Sequence, residues 1–315
     1  MPKCILRIIV FWYTEQCINV QWGNQFSTSF NISNGVRQGG ILSPLCFNVY
    51  MDDLSLLLNM SHTGCNFNNI FINHLSYADD MCIIAPSARS LQTLLDICQN
   101  YSMSHNITYN TAKSVCMYVK CLTFKVDHIP QIKLGGRTLD YVSSYRYLGC
   151  IISDVLTDEL DIKRTIRGVY TRSNILIRKF NFCSFTVKQQ LFQSYCTNFY
   201  CTQLWYKYSA ASLNKIRVAF NNSCRHFLGY PKYCSASGMF LDNNIDSFDV
   251  LRRKYIYKFT CRLFASQNSI IESIYTCNKI ISPSVKEWTK CLFTGKVHLW
   301  NTFCIIWWII CTISI

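Results

Sequence analysis

Two apolar runs, Phe71-Ile72-Asn73-His74-Leu75-Ser76 and Met81-Cys82-Ile83-Ile84-Ala85, flank the tetrapeptide Tyr77-Ala78-Asp79-Asp80. The setting predicts two strands joined by a tight turn that carries adjacent carboxylates. Such a turn is a perch for a divalent ion, because magnesium takes hard oxygen ligands and keeps positions open for further oxygens. A complete site of this kind needs one more carboxylate from a neighbouring strand. A second acid pair, in Tyr50-Met51-Asp52-Asp53, lies within a stretch of helical period opened by Ser43-Pro44 and has no flanking strands. Asp52 and Asp53 are therefore expected to be solvated acids on a helix surface, and Asp79 and Asp80 to be the metal ligands.

Around this hairpin the pattern is mixed. Residues 5–16 read as a short helix, and 18–30 alternate about Gly23-Asn24 as a β-hairpin. Leu45 to Leu58 and Ser87 to Tyr101 read as helices, the second with Leu91, Leu94, Leu95, Cys98 and Tyr101 on one face. Short strands are expected near 114–119, 132–134, 138–142 and 145–152, and helices from about 159 to 229.

Charge divides the chain. Residues 1–100 hold four Lys/Arg against six Asp/Glu, whereas the remainder holds 27 against 11. Within 160–233 there are twelve basic residues and one acid, Asp161. Arg164, Arg167, Arg172, Arg178, Lys179, Arg217 and Arg225 are interleaved there with Tyr170, Phe180, Tyr206 and Phe227. A basic helical module of this kind suits a nucleic-acid backbone, which binds by neutralising phosphates and releasing counterions.

The 19 cysteines are scattered singly, with no C-x-x-C pair. They read as buried free thiols of a reducing compartment rather than as a disulfide scaffold or a zinc site. An intracellular location, nucleus or cytoplasm, is the expectation. The apolar run from Phe303 to Ile313 is shorter than the ~20 residues of a membrane span, so a buried or interfacial segment is expected and a membrane partner is not.

Ahead of the hairpin comes Asn34-Gly35-Val36-Arg37-Gln38-Gly39-Gly40-Ile41-Leu42-Ser43-Pro44. Paired glycines permit close approach to the backbone, and Arg and Gln offer hydrogen bonds to base or phosphate. Together with Asp79-Asp80, this segment resembles the reverse transcriptases of non-LTR retrotransposons, from about Pro2 to about residue 280. The resemblance implies an α+β fold: a partial right-hand polymerase palm, an antiparallel sheet with helices, followed by an all-α thumb. It implies RNA-templated DNA synthesis by two-metal nucleotidyl transfer, with RNA template, DNA primer and dNTPs as partners and Mg²⁺ as cofactor. By match of motif, Arg37, Gln38, Gly39 and Gly40 would hold template and nucleotide, and Asp79 and Asp80 the metal. Lys113, in Asn110-Thr111-Ala112-Lys113-Ser114, would assist proton transfer, although a surface lysine beginning a strand is an equal reading. Tyr147, Leu148 and Gly149 would form the primer grip.

The family's first metal-binding aspartate should precede the glycine segment, where residues 1–51 hold only Glu15. The expectation is therefore an N-terminally truncated family member that binds Mg²⁺ weakly and is inactive. Its parts would be a partial palm over 1–155, a basic thumb over 156–233 and an extension with an apolar tail over 234–315. The alternative is a non-catalytic nucleic-acid-binding remnant that uses the basic thumb.

Overall fold

The structure is a computed structural model, and it describes all residues except Met1, 33–34, 68–69, 121–127, 206, 277–308 and 315. Asn34, Tyr206 and residues 303–308 of the apolar run thus lie outside the described residues. The chain forms two compact units, Met1–Leu57 and Leu58–Ile315.

In the first unit, helix α1 (Lys3–Thr14) follows Pro2 and leaves Leu6, Val10, Phe11 and Trp12 exposed. The expected hairpin is present as two nested pairs. β2 (Gln21–Trp22) pairs with β3 (Gln25–Phe26) about Gly23, inside β1 (Cys17–Ile18) paired with β4 (Phe30–Asn31). Helix α2 (Ser43–Met60) begins in this unit and carries Asp52 and Asp53 exposed, as expected of helical surface acids.

The second unit has a sheet and a helical module. β5 (Cys65–Phe67) and β6 (Ile70–Ile72) form a hairpin, then β7 (His74–Tyr77) and β8 (Asp80–Ala85) form the next one. The apolar run 71–76 is therefore broken rather than one strand. The break is at buried Asn73, whose Nδ2 donates to the carbonyls of Leu58 (2.7 Å) and Thr63 (3.1 Å). These bonds satisfy an amide that would otherwise be costly to bury.

Helix α3 (Ala88–Ser104) starts at Ser87, whose hydroxyl accepts from the Ser90 N–H, and buries Leu91, Leu94, Leu95, Cys98 and Tyr101. β9 (Val115–Tyr118), β10 (Lys133–Leu134), β11 (Arg137–Thr138), β12 (Asp140–Tyr141), β13 (Ser144–Tyr147) and β14 (Cys150–Ser153) follow close to the expected positions. The main sheet has the order β12-β9-β15-β8-β7, where β15 is Ile309–Ser314. The apolar run's last residues thus form a central strand, antiparallel to both β8 and β9. In β8 every residue after Asp80 is buried, the near-continuous apolar pattern of a strand flanked and covered.

Among the described residues the module holds helices α4 (Glu159–Phe180), α5 (Phe185–Cys196), α6 (Ala210–Leu228), α7 (Ala236–Asp242), α8 (Phe248–Phe264) and α9 (Ser269–Thr276), with a short 3₁₀ turn at Thr202–Leu204. Its core is aromatic. Phe199 meets Phe220 and Phe248 edge-on at centroid distances of 5.4 and 5.1 Å. Met239, Phe240, Phe248 and Leu251 join the same core, so α7 and α8 pack as one body with the basic helices before residue 233.

One cysteine pair departs from the expectation of free thiols. Cys150 and Cys201 form a disulfide, with Cα atoms 6.5 Å apart, because β14 and the loop before the 3₁₀ turn pack together. Buried Cys65, Cys82, Cys98, Cys116, Cys196 and Cys224 are free.

Candidate functional site

The acid pair sits at the tip of β7–β8. Tyr77 pairs with Asp80 across a two-residue turn of Ala78 and Asp79. Asp79 is exposed and Asp80 half-buried. Ala78 holds a left-handed φ of 51°, a conformation that costs an L-residue roughly 1–2 kcal/mol. Ala78→Gly is therefore expected to raise stability by about 1 kcal/mol in urea unfolding. No gain would mean that the turn is not strained.

The register places Lys113 with the acids. Thr312 of β15 pairs with both Cys82 and Val115. Asp80 precedes Cys82 by two residues and Lys113 precedes Val115 by two, so both stand at one end of the sheet. The strands β8 and β9 that they border are two strand spacings apart, about 10 Å. The Lys113 side chain is exposed, and its N–H donates to the Asn110 carbonyl (3.0 Å) in the turn that opens β9.

Tyr147 reaches the same end from β13. It packs on Cys65, Ile72, Cys82 and Ile84. Burial, with the Cys82 thiol and the Asp80 carboxylate adding to it, pushes its phenol up to about 12. Leu148 (φ 45°) and Gly149 (φ 85°) form the two-residue turn to β14, the pair of left-handed residues that a tight hairpin requires. The Tyr200 hydroxyl donates to the Leu148 carbonyl at 2.8 Å.

One residue that the sequence reading did not single out for function fastens this hairpin to the helical module. Asp161, buried at the start of α4, accepts from Arg164 Nε (2.6 Å), the Ile151 N–H (3.0 Å) and Trp205 Nε1 (2.8 Å). Burial alone would raise its pKa, but these donors outweigh that and hold the carboxyl below its usual range. The signal available in the sequence was its isolation as one acid among twelve bases.

The glycine segment belongs to the first unit. Arg37 and Gln38 are exposed, and Gly39 has φ 80°. The Arg37 carbonyl accepts from the Gly40 N–H (3.1 Å) and from Ser43 Oγ (2.6 Å). A Cβ on Gly40 would stand 2.6 Å from that Ser43 oxygen, so the loop closes tightly only with glycine there. Ser43, expected as a helix cap, instead ties down this loop.

Several arginines expected on phosphates are occupied within the chain. Arg164 pairs with Asp161, and Arg217 with Asp249 (2.7 Å). Arg172 donates to the Asn198 carbonyl and Arg225 to the Cys234 carbonyl. Lys163, Arg167, Tyr170, Asn174 and Arg178 are exposed along α4 at helical spacing. Lys163 to Arg178 spans about 22 Å at 1.5 Å per residue.

Asp79 and Asp80 carry hard carboxylate oxygens, the atom type magnesium prefers. Among the described residues, however, no group of three or more His, Cys, Asp or Glu side chains could hold a metal ion. The residues present therefore do not fit a two-metal centre. No helix among the described residues is long and apolar enough to cross a membrane.

The model of the family described as reverse transcriptase (RNA-dependent DNA polymerase) matches residues 2–152. The chain is 26% identical over 280 residues to the RNA-directed DNA polymerase from mobile element jockey of Drosophila funebris, covering 85% of this chain and 30% of that protein. It is 24% identical over 276 residues to a probable RNA-directed DNA polymerase from transposon BS of Drosophila melanogaster, covering 83% and 30%. With the Pol polyprotein of a type-1 retrotransposable element R2 of Popillia japonica it shares 27% over 148 residues, 44% of this chain and 24% of that protein. The chain thus spans less than a third of the length of these curated relatives.

Proposed function

We propose that this chain, similar over residues 2–152 to the reverse transcriptases and over most of its length to polymerases of non-LTR mobile elements, is a template–primer-binding polymerase segment that does not itself catalyse synthesis. In this reading the sheet unit is palm and the helical module thumb. The observation that carries it is the gathering of Asp79, Asp80 and Lys113 at one end of the main sheet, with Tyr147 of the separate β13–β14 hairpin close to Asp80. These are the positions that the family resemblance assigns to metal, proton transfer and primer grip. RNA-templated DNA synthesis from dNTPs would belong to a family member whose acid set is complete. Among the described residues the two carboxylates stand without a third, so Mg²⁺ would bind weakly and transition-state charge would go largely uncompensated.

Binding would run through the exposed stripe of α4. Lys163, Arg167 and Arg178, with Lys179 beside them, offer about four phosphate contacts, for which log K should fall with log salt at a slope near −3 to −4. The test is one set of assays on an RNA template annealed to a DNA primer, with dNTPs and Mg²⁺. No extension above the Asp79→Ala level is expected, while duplex retention on filters should weaken steeply with salt. The double variant R167E/R178E should flatten the salt slope by about 2 or more. Extension that disappears in Asp79→Ala would overturn the inactivity. A salt-independent retention would remove the phosphate contacts.

A further inference from the structure

The strand beside β8 offers a position from which a carboxylate would complete the acid pair, since cross-strand partners stand about 5 Å apart. β15 holds that position. It pairs with β8 from Ile309↔Ala85 to Ser314↔Asp80, and with β9 from Ile309↔Tyr118 to Thr312↔Val115. β8 and β9 run parallel to each other and make no ladder of their own. Among the described residues their inner edges are joined through this strand, whose six residues, Ile-Ile-Cys-Thr-Ile-Ser, include no acid.

We propose that β15 is a surrogate strand. It closes the sheet between β8 and β9, and it sets an uncharged residue, Ser314, in the register position opposite Asp80, where a third metal-binding carboxylate would complete the acid pair. The slot thus has two separable roles, hydrogen-bonding the sheet and supplying a ligand, and β15 performs the first only. This rests on the reading of Asp79 and Asp80 as the metal pair. An exposed edge on either flank would be a template for unwanted strand pairing, which gives an acid-free apolar strand a structural reason to occupy the slot.

The test uses the full chain and Mn²⁺ as probe, with binding followed by electron paramagnetic resonance. Ser314→Asp should tighten Mn²⁺ binding about tenfold or more over both the parent and Ser314→Asn, the uncharged control of the same size, because affinity follows ligand charge count. Adding Asp80→Asn should abolish the gain. Equal affinities for Ser314→Asp and Ser314→Asn would overturn the ligand role of position 314. If Asp79→Asn and Asp80→Asn leave parental Mn²⁺ binding unchanged, the reading of the acid pair fails instead. Placement of the strand is checked separately by hydrogen exchange on the parent chain. Amides of both Met81–Ala85 and Val115–Tyr118 should exchange slowly, and rapid exchange in the second set would overturn β15 as the strand between them.

Discussion

Replacing Asp161 with alanine is expected to lower the thermal midpoint of the helical module by on the order of 10 °C, from a loss of about 3 kcal/mol or more. The side chain is 4% exposed, and Arg164, Trp205 and the Ile151 amide all donate to its two oxygens. Truncation leaves a guanidinium, an indole N–H and a backbone N–H without their acceptor, and buried donors without partners carry their full desolvation cost. Asp161→Asn keeps the shape and part of the accepting capacity, so its loss should be smaller. The pH dependence follows the depressed carboxyl. A carboxylate whose folded pKa lies below its unfolded value of about 3.9 stabilises the fold above that value. The contribution is lost as pH falls through the folded pKa. Urea unfolding at pH 7 and below pH 3 should therefore show a gap between parent and Asp161→Ala that narrows in acid. A gap independent of pH would assign the effect to packing instead.

Gly149→Ala should cost about 2–4 kcal/mol, combining a left-handed φ with a packing clash. At φ 85° the added Cβ would stand 2.9 Å from Cε1 of Tyr200. That ring cannot swing aside freely, because its hydroxyl is bonded to the Leu148 carbonyl in the same turn. Relief by ring rotation would break this bond and move the turn away from Tyr147. Circular dichroism on urea titration measures the loss, and the Tyr147 phenol, raised to about 12 by burial and its neighbours, should titrate lower in the variant. An unchanged titration with full stability would show that the turn tolerates a side chain.

Local patterns in the sequence were reliable where the physics is local. The face of α3 could be read from Leu91, Leu94, Leu95, Cys98 and Tyr101, all of which are buried. The β7–β8 hairpin could be read from two apolar runs and their short spacing, and α+β character followed. What could not be read depends on contacts between residues distant in sequence. Asp161 looks like any acid in a basic stretch until Trp205 and Ile151 are folded against it. Arg217 looks like a phosphate ligand until Asp249 arrives on another helix. The run 303–313 has no alternation, so nothing local in it says that its last residues pair with Cys82 and Val115.

The central position of β15 also sets the order in which the sheet can assemble. Residues 80–85 and 115–118 are synthesised long before residues 309–314, and domains fold from the N-terminal side as they emerge. Until the late strand arrives, β8 and β9 each present an apolar edge with unsatisfied backbone groups, while the local contacts of the helical module can already form. Closing so long a loop is entropically uphill and slow. The sheet that carries the acid pair thus closes only after residues 309–314 have been made, and until then its half-made edges are open to unwanted strand pairing.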